Sequence, residues 1–234
     1  HGRGVPRHPS STTMPSVFVH PDVERVRRLH ADLYAAGAAS MPIRAWIERQ
    51  ASALLAAHER GDPACAVQVR AVIPGDSERS VDETLAAPLP YRRALRAVAM
   101  DHGFTRPDAA LAADRTQDPV FEQALDLIGR ADVDALRGLV AEVPRIVHDR
   151  SRFGHGGTLL HHLTANGVEI RRQVVPSNAP RLAMVLIEAG ADAAATMQVY
   201  GGRWTVRGLL ETSAHPATAG VVDDFVHVLG VAGA

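Results

Sequence analysis

The sequence predicts an all-α chain, a helical-repeat solenoid with an N-terminal helical extension. Three observations carry this. Apolar residues recur at helical spacing along most of the chain. No long stretch alternates apolar and polar residues as a half-buried strand would. Two segments 70 residues apart repeat one helix–turn–helix pattern.

The elements follow in order. Pro21 suits a first helical turn, and Val23, Val26, Leu29 and Leu33 carry an apolar stripe to a stop at Gly37. A second helix starts near Pro42, has Ile43, Trp46, Ile47, Leu54 and Leu55 on one face, and ends at Gly61. Asp62-Pro63 reads as an N-cap with proline at the first helical position, opening a short helix through Val67, Val69 and Val72 to Pro74. Ser80 and Glu83 have capping-box spacing. Residues 89–102 form an amphipathic helix with Leu95, Val98 and Ala99 inward and Gly103 as its cap. Residues 105–117, with Pro, Asp and Thr among short Ala runs, read as a hinge. Asp118-Pro119 then restarts the helical pattern, with Phe121, Ala124, Leu125 and Ile128 inward.

Segments 53–74 and 123–144 align without a gap, so that Asp62 meets Asp132 and Pro74 meets Pro144. Each unit is a helix, a tight turn with an Asp cap, a short helix and a proline stop. The chain therefore divides into a disordered leader or tag over 1–13 with Met14 as the natural start, an N-terminal helical region over 14–104, and a repeat domain over 118–234.

Composition narrows the function. The formal net charge of -1 gives no long-range bias toward nucleic acid or an anionic membrane, and aromatics at 4% are too sparse for a base-stacking platform. All 25 basic residues are arginine, which excludes a lysine Schiff base and a Walker-A loop. Cys65 is the only cysteine, so there is no disulfide framework or thiolate zinc site, and a reducing, cytoplasmic setting is expected. No apolar run approaches the length of a membrane span, about 20 residues.

Thr158-Leu159-Leu160-His161-His162-Leu163 resembles the ankyrin signature T-P-L-H-x-A, with Leu159 for the proline and Leu163 for the alanine. Leu186-Ile187-Glu188-Ala189-Gly190-Ala191-Asp192 resembles the ankyrin phrase in which a helix ends at a left-handed glycine, here Gly190, before a finger loop. Val228-Leu229 and Ala232-Gly233-Ala234 repeat that phrase 43 residues later, against an ankyrin period of about 33. The extra length falls in an insertion at 168–180 and an enlarged finger at 196–203. A last repeat opens at Gly202-Arg203-Trp204-Thr205, with Arg207 where an apolar residue is expected and Gly208 in the place of the motif histidine. Residues 121–234 resemble bacterial ankyrin-repeat proteins. The resemblance implies stacked helix pairs that bind a protein or peptide through a concave face and its loops, with no cofactor. It also implies that Thr158 and His161 bond to each other for structure, and that His162, at the variable position, faces the concave surface.

The candidate chemistry is sparse. Asn166, Glu169, Arg171, Arg172, Gln173, Ser177, Asn178, Tyr200 and Ser213 cluster around the two long loops, and such loops are often functional. If both loops leave one side of the stack they roof a pocket over His162 and His215. His162, His215, Tyr200 and Glu211 would then be acid/base groups, and Arg171 or Arg172 would hold an anion. The alternative function is thus a cofactor-free small-molecule-binding protein or an isomerase, cyclase or hydrolase. Glu211 and His215 stand four apart, a spacing that also suits a metal. No H-E-x-x-H or facial-triad pattern accompanies them or His155, so no metal site is assigned. The turn Gly154-His155-Gly156-Gly157 follows no strand and makes a poor phosphate loop. Cys65 lies in an apolar helix and reads as inert.

Overall fold

The computed structural model describes residues 15–35 and 41–232. The expected leader over 1–13, the start at Met14, the stop at Gly37 and the closing Gly233-Ala234 lie outside the described residues. The described chain is mostly helical, and no helix in it is long and apolar enough to cross a membrane.

A short strand β1 (Val17–Val19) leads to α1 (Pro21–Leu29), whose first turn is capped by the His20 ring accepting from the Asp22 N–H. After α2 (Ala31–Ala35) come α3 (Ile43–Glu59), α4 (Pro63–Val72), α5 (Val81–Ala86), α6 (Tyr91–Asp101) and α7 (Pro107–Leu111). The predicted caps form: Asp62 accepts from the Ala64 N–H, and Ser80 and Glu83 bond reciprocally. α3 packs on α4, α6 and α7 around the fully buried Trp46. The stretch expected as a hinge is ordered instead. Pro107 follows Arg106 at the start of a helix rather than breaking one, Ala110 is fully buried, and Ile43 N–H donates to the Arg115 carbonyl at 2.9 Å.

The second half begins with α8 (Pro119–Gly129) and α9 (Val133–Glu142), followed by α10 (Leu159–His162), β2 (Val174–Pro176) and α11 (Ala179–Glu188). The hairpin β3 (Thr196–Val199) and β4 (Gly202–Thr205) then precedes α12 (Val206–Glu211), α13 (Ala214–Ala219) and α14 (Val222–Ala232). α9, α11 and α14 pack in succession on one side, and α8, α10 and α12 on the other. Phe121, Leu136, Leu159, Leu160, Leu182 and Phe225 fill the space between.

The two segments that align in sequence share local backbone features. α4 and α9 are each 10 residues long and begin 70 positions apart, as do the ends of α3 and α8. In each unit a left-handed residue precedes the Asp cap: Gly61 at φ 67 and Ala131 at φ 62.

The two expected loops carry short secondary structure. Within 168–180 lie a 3₁₀ turn (Ile170–Arg172), β2 and the start of α11. β2 pairs antiparallel with β1, Val17 opposite Pro176 and Val19 opposite Val174. The 196–203 finger is the β3–β4 hairpin. Strands of three or four residues are too short for alternation to reveal.

The halves also touch backbone to backbone. Gly154 N–H donates to the His102 carbonyl at 2.9 Å, and a Cβ on Gly154 would lie 2.5 Å from the Gly103 carbonyl. Phe153, one residue earlier, is buried in the N-terminal core. Gly154→Ala is therefore expected to lower stability by more than about 2 kcal/mol in urea denaturation. Gly138→Ala, exposed within α9 and with nothing within 4 Å, should instead raise it by roughly 0.5–1 kcal/mol.

Candidate functional site

Polar side chains fill much of the seam between the halves. The C-terminal end of α6 supplies Asp101 and His102, α4 supplies Gln68, α3 supplies Gln50, and His30 follows α1. The second half contributes His155 from the loop before α10, His162 from α10, and Glu169 at the head of the 3₁₀ turn. α10 is started by Thr158, whose N–H donates to His161 Nδ1 at 3.2 Å while its hydroxyl lies 2.8 Å from the same atom. That cap fixes the turn presenting His162 one residue later.

Two chains of contacts cross the seam. In one, Asp101 accepts from Ile170 N–H at 2.9 Å and from Gln68 at 3.1 Å, and Gln68 Oε1 lies 2.8 Å from His30 Nε2. In the other, Glu169 Oε1 is 3.5 Å from His102 Nδ1 and Oε2 is 3.5 Å from His155 Nε2. His102 Nε2 continues to Gln50 at 3.2 Å, and His155 Nδ1 accepts from Gly157 N–H at 3.0 Å. His162 stands beside the rings of Phe121 and His155 (6.0 and 5.4 Å), and neither of its nitrogens has a hydrogen-bond partner among the described residues. One ligand-type atom each from His155, His162 and Glu169 lies within 4.8 Å of the others.

Burial sets the electrostatics. It pushes the Glu169 carboxyl up, but His155 and His102 outweigh it and hold Glu169 well below the usual carboxylate range. At Asp101 burial wins and the carboxyl is raised. Burial also drives His162 well below the ordinary histidine value and lowers His30 and His161 to about 4 each.

Beside this cluster a cleft of about 500 Å³ opens between α1, α8 and the 171–174 segment, with His162 in its wall. Arg171 stacks on Tyr34, its guanidinium carbon 3.6 Å from the ring centroid, and approaches Glu122 at 3.5 Å. Arg172 bonds Glu122 at 2.7 Å and also Asp126. The wall holds five arginines (27, 28, 130, 171, 172) against Glu24 and Asp126, a formal excess of three, or two once Glu122 behind them is counted. Arg28 pairs with Glu24, whereas Arg27 and Arg130 have no ion-pair partner among the described residues. Leu125, Ile128 and Val174 give the cleft an apolar side.

The predicted site residues separate. His162, Arg171 and Arg172 meet at the cleft. His162 is 3% exposed, so the expectation of a residue facing an open concave surface gives way to one packed inside the seam. His215 lies elsewhere, its ring 5.5 Å from His20 and 6.4 Å from Phe18. Glu211 is exposed and paired with Arg207 at 2.8 Å. Glu211 and His215 do not share a helix, because α12 ends at Glu211 and α13 starts at Ala214 with Pro216 in its first turn. Tyr200, 67% exposed at the hairpin tip, donates to Asn166 Oδ1 at 2.7 Å, and Asn166 in turn bonds the Leu209 carbonyl at 3.0 Å. The finger therefore does not help to roof the cleft.

Three other candidates hold backbone. Gln173 donates to the Val168 carbonyl at 2.9 Å, Asn178 to Ala131 at 3.0 Å, and Ser213 to Ala165 at 3.4 Å. Gly190, at φ 97, ends α11 as expected, and Cys65 is buried with its thiol pushed up to about 12. Asp101, His102, Gln68, Gln50, His30 and Glu122 escaped the sequence reading. Their one visible signal is a polar side chain on an apolar helix face, as at Gln68 between Val67 and Val69.

No family model, curated protein or solved structure matches the chain.

Two outcomes follow from the buried titratable groups. His30 and His161 are neutral when folded but titrate near 6.5 when unfolded, so the unfolded chain binds more protons between these limits. Their contribution is complete above pH 6.5 and is lost as pH falls toward 4, by about 3 kcal/mol per histidine. Urea denaturation across that range should show the decline, and His30→Gln should make it shallower. Arg172→Ala, which leaves the buried Glu122 with only the longer Arg171 contact, should cost about 3 kcal/mol, and adding Glu122→Gln should recover part of it.

Proposed function

We propose that this chain binds a small molecule with an anionic group and an apolar body in the cleft between α1 and α8. The observation that carries this is the arginine excess of the cleft, with Arg27 and Arg130 unpaired among the described residues. Planar guanidinium groups suit carboxylate or phosphate oxygens, and the Leu125–Ile128–Val174 side suits hydrocarbon. The volume, about 500 Å³, is in the range of small-molecule sites.

The same proposal takes the C-terminal half as an ankyrin-like stack. Its support is the two rows of packed helices, the Thr158–His161 bond and the hairpin in the finger position. A protein or peptide partner on a concave face is less well supported, because His162, the residue such a face would present, is buried. The single buried thiol is compatible with a reducing, cytoplasmic setting.

Calorimetric titration and thermal denaturation with octanoate and with inorganic phosphate test the reading. Octanoate should raise the melting temperature. Arg130→Ala and Arg27→Ala, both at exposed positions, should each weaken binding at least about tenfold. Absence of octanoate binding, or variants that bind octanoate as the parent does, would sink it.

A further inference from the structure

We propose that His155, His162 and Glu169 form a buried site for one divalent transition-metal ion of the zinc class. Four observations support it together. The three side chains offer two imidazole nitrogens and one carboxylate oxygen, a donor set suited to zinc, cobalt, nickel or iron and poor for calcium or magnesium. Their ligand atoms already lie within 4.8 Å of one another, and closing on an ion at about 2.1 Å brings such atoms to about 3.5 Å apart. All three are 3% exposed or less. Finally, both nitrogens of His162 have no hydrogen-bond partner among the described residues, although buried polar atoms are nearly always satisfied, and His155 Nε2 and Glu169 Oε2 meet only each other, at 3.5 Å.

The surroundings fit the assignment. Glu169 Oε1 is taken by His102 at 3.5 Å, which orients the carboxylate and leaves Oε2 toward the histidines. Three protein ligands leave a coordination position open, as in catalytic rather than structural zinc sites. His162 belongs both to this set and to the cleft wall.

One contact must change. His155 Nδ1 now accepts from Gly157 N–H, whereas ligation through Nε2 puts the ring proton on Nδ1. The bond given up is a single one across two residues, in a turn containing Gly156 and Gly157, and is small beside metal–ligand bonds.

The site needs no ligand in the cleft, so it stands or falls apart from the anion-binding reading. The test uses the full chain stripped with a chelator, titrated with zinc chloride by calorimetry and with cobalt chloride by visible absorption. One equivalent should bind, the cobalt form should show the intense bands of a low-coordinate site, and the Gly157 amide resonance should move. Glu169→Gln and His162→Gln should each lose at least about a hundredfold in affinity, while His215→Gln should bind as the parent does. Circular dichroism checks that the variants fold. If one variant does not fold, the other and the Gly157 resonance decide. No stoichiometric binding, binding unchanged by the folded variants, or a Gly157 resonance that stays in place would each overturn the assignment.

Discussion

One buried negative charge organises the middle of this molecule. Glu169 is 1% exposed, and an isolated carboxylate so far from water is strongly disfavoured unless neighbours compensate it. The compensation comes from both halves: His102 closes the helix α6, and His155 precedes α10. Each half supplies one of the two imidazoles that face this carboxylate. The seam is thus specified by polar matching as well as by apolar area, and Asp101 reinforces it by accepting from Gln68 on one side and Ile170 on the other.

The arginine side of the seam follows the same logic with the sign reversed. Arg171 and Arg172 are held by Glu122, Asp126 and the Tyr34 ring, so two cations adjacent in sequence coexist under partial burial. The cleft beside them has a fixed charged wall and an apolar wall.

What was legible in the sequence was local. Asp62, Asp118 and Asp132 cap the helices that follow them, and Ser80 and Glu83 bond across three residues, because a cap and its partner lie within one turn. The repeat offset was readable for the same reason. The polar cluster was not, since His30, Gln68, Asp101, His155 and Glu169 come from elements scattered through the chain and only packing joins them. Local reading also failed where one residue has two uses. Proline stops a helix from within but starts one from its first turn, so Pro107 opens a helix where a hinge was expected.

The small ribbon of β1 and β2 bears on how the chain folds. Mostly helical chains form chiefly from contacts close in sequence, which ordinarily makes them quick to assemble. The pairing of residue 17 with residue 176 instead closes a loop spanning most of the chain, and its ordering entropy is repaid only after both helical halves exist. The ribbon is then a late event in folding. It also ties the first described residues of the chain to the second half.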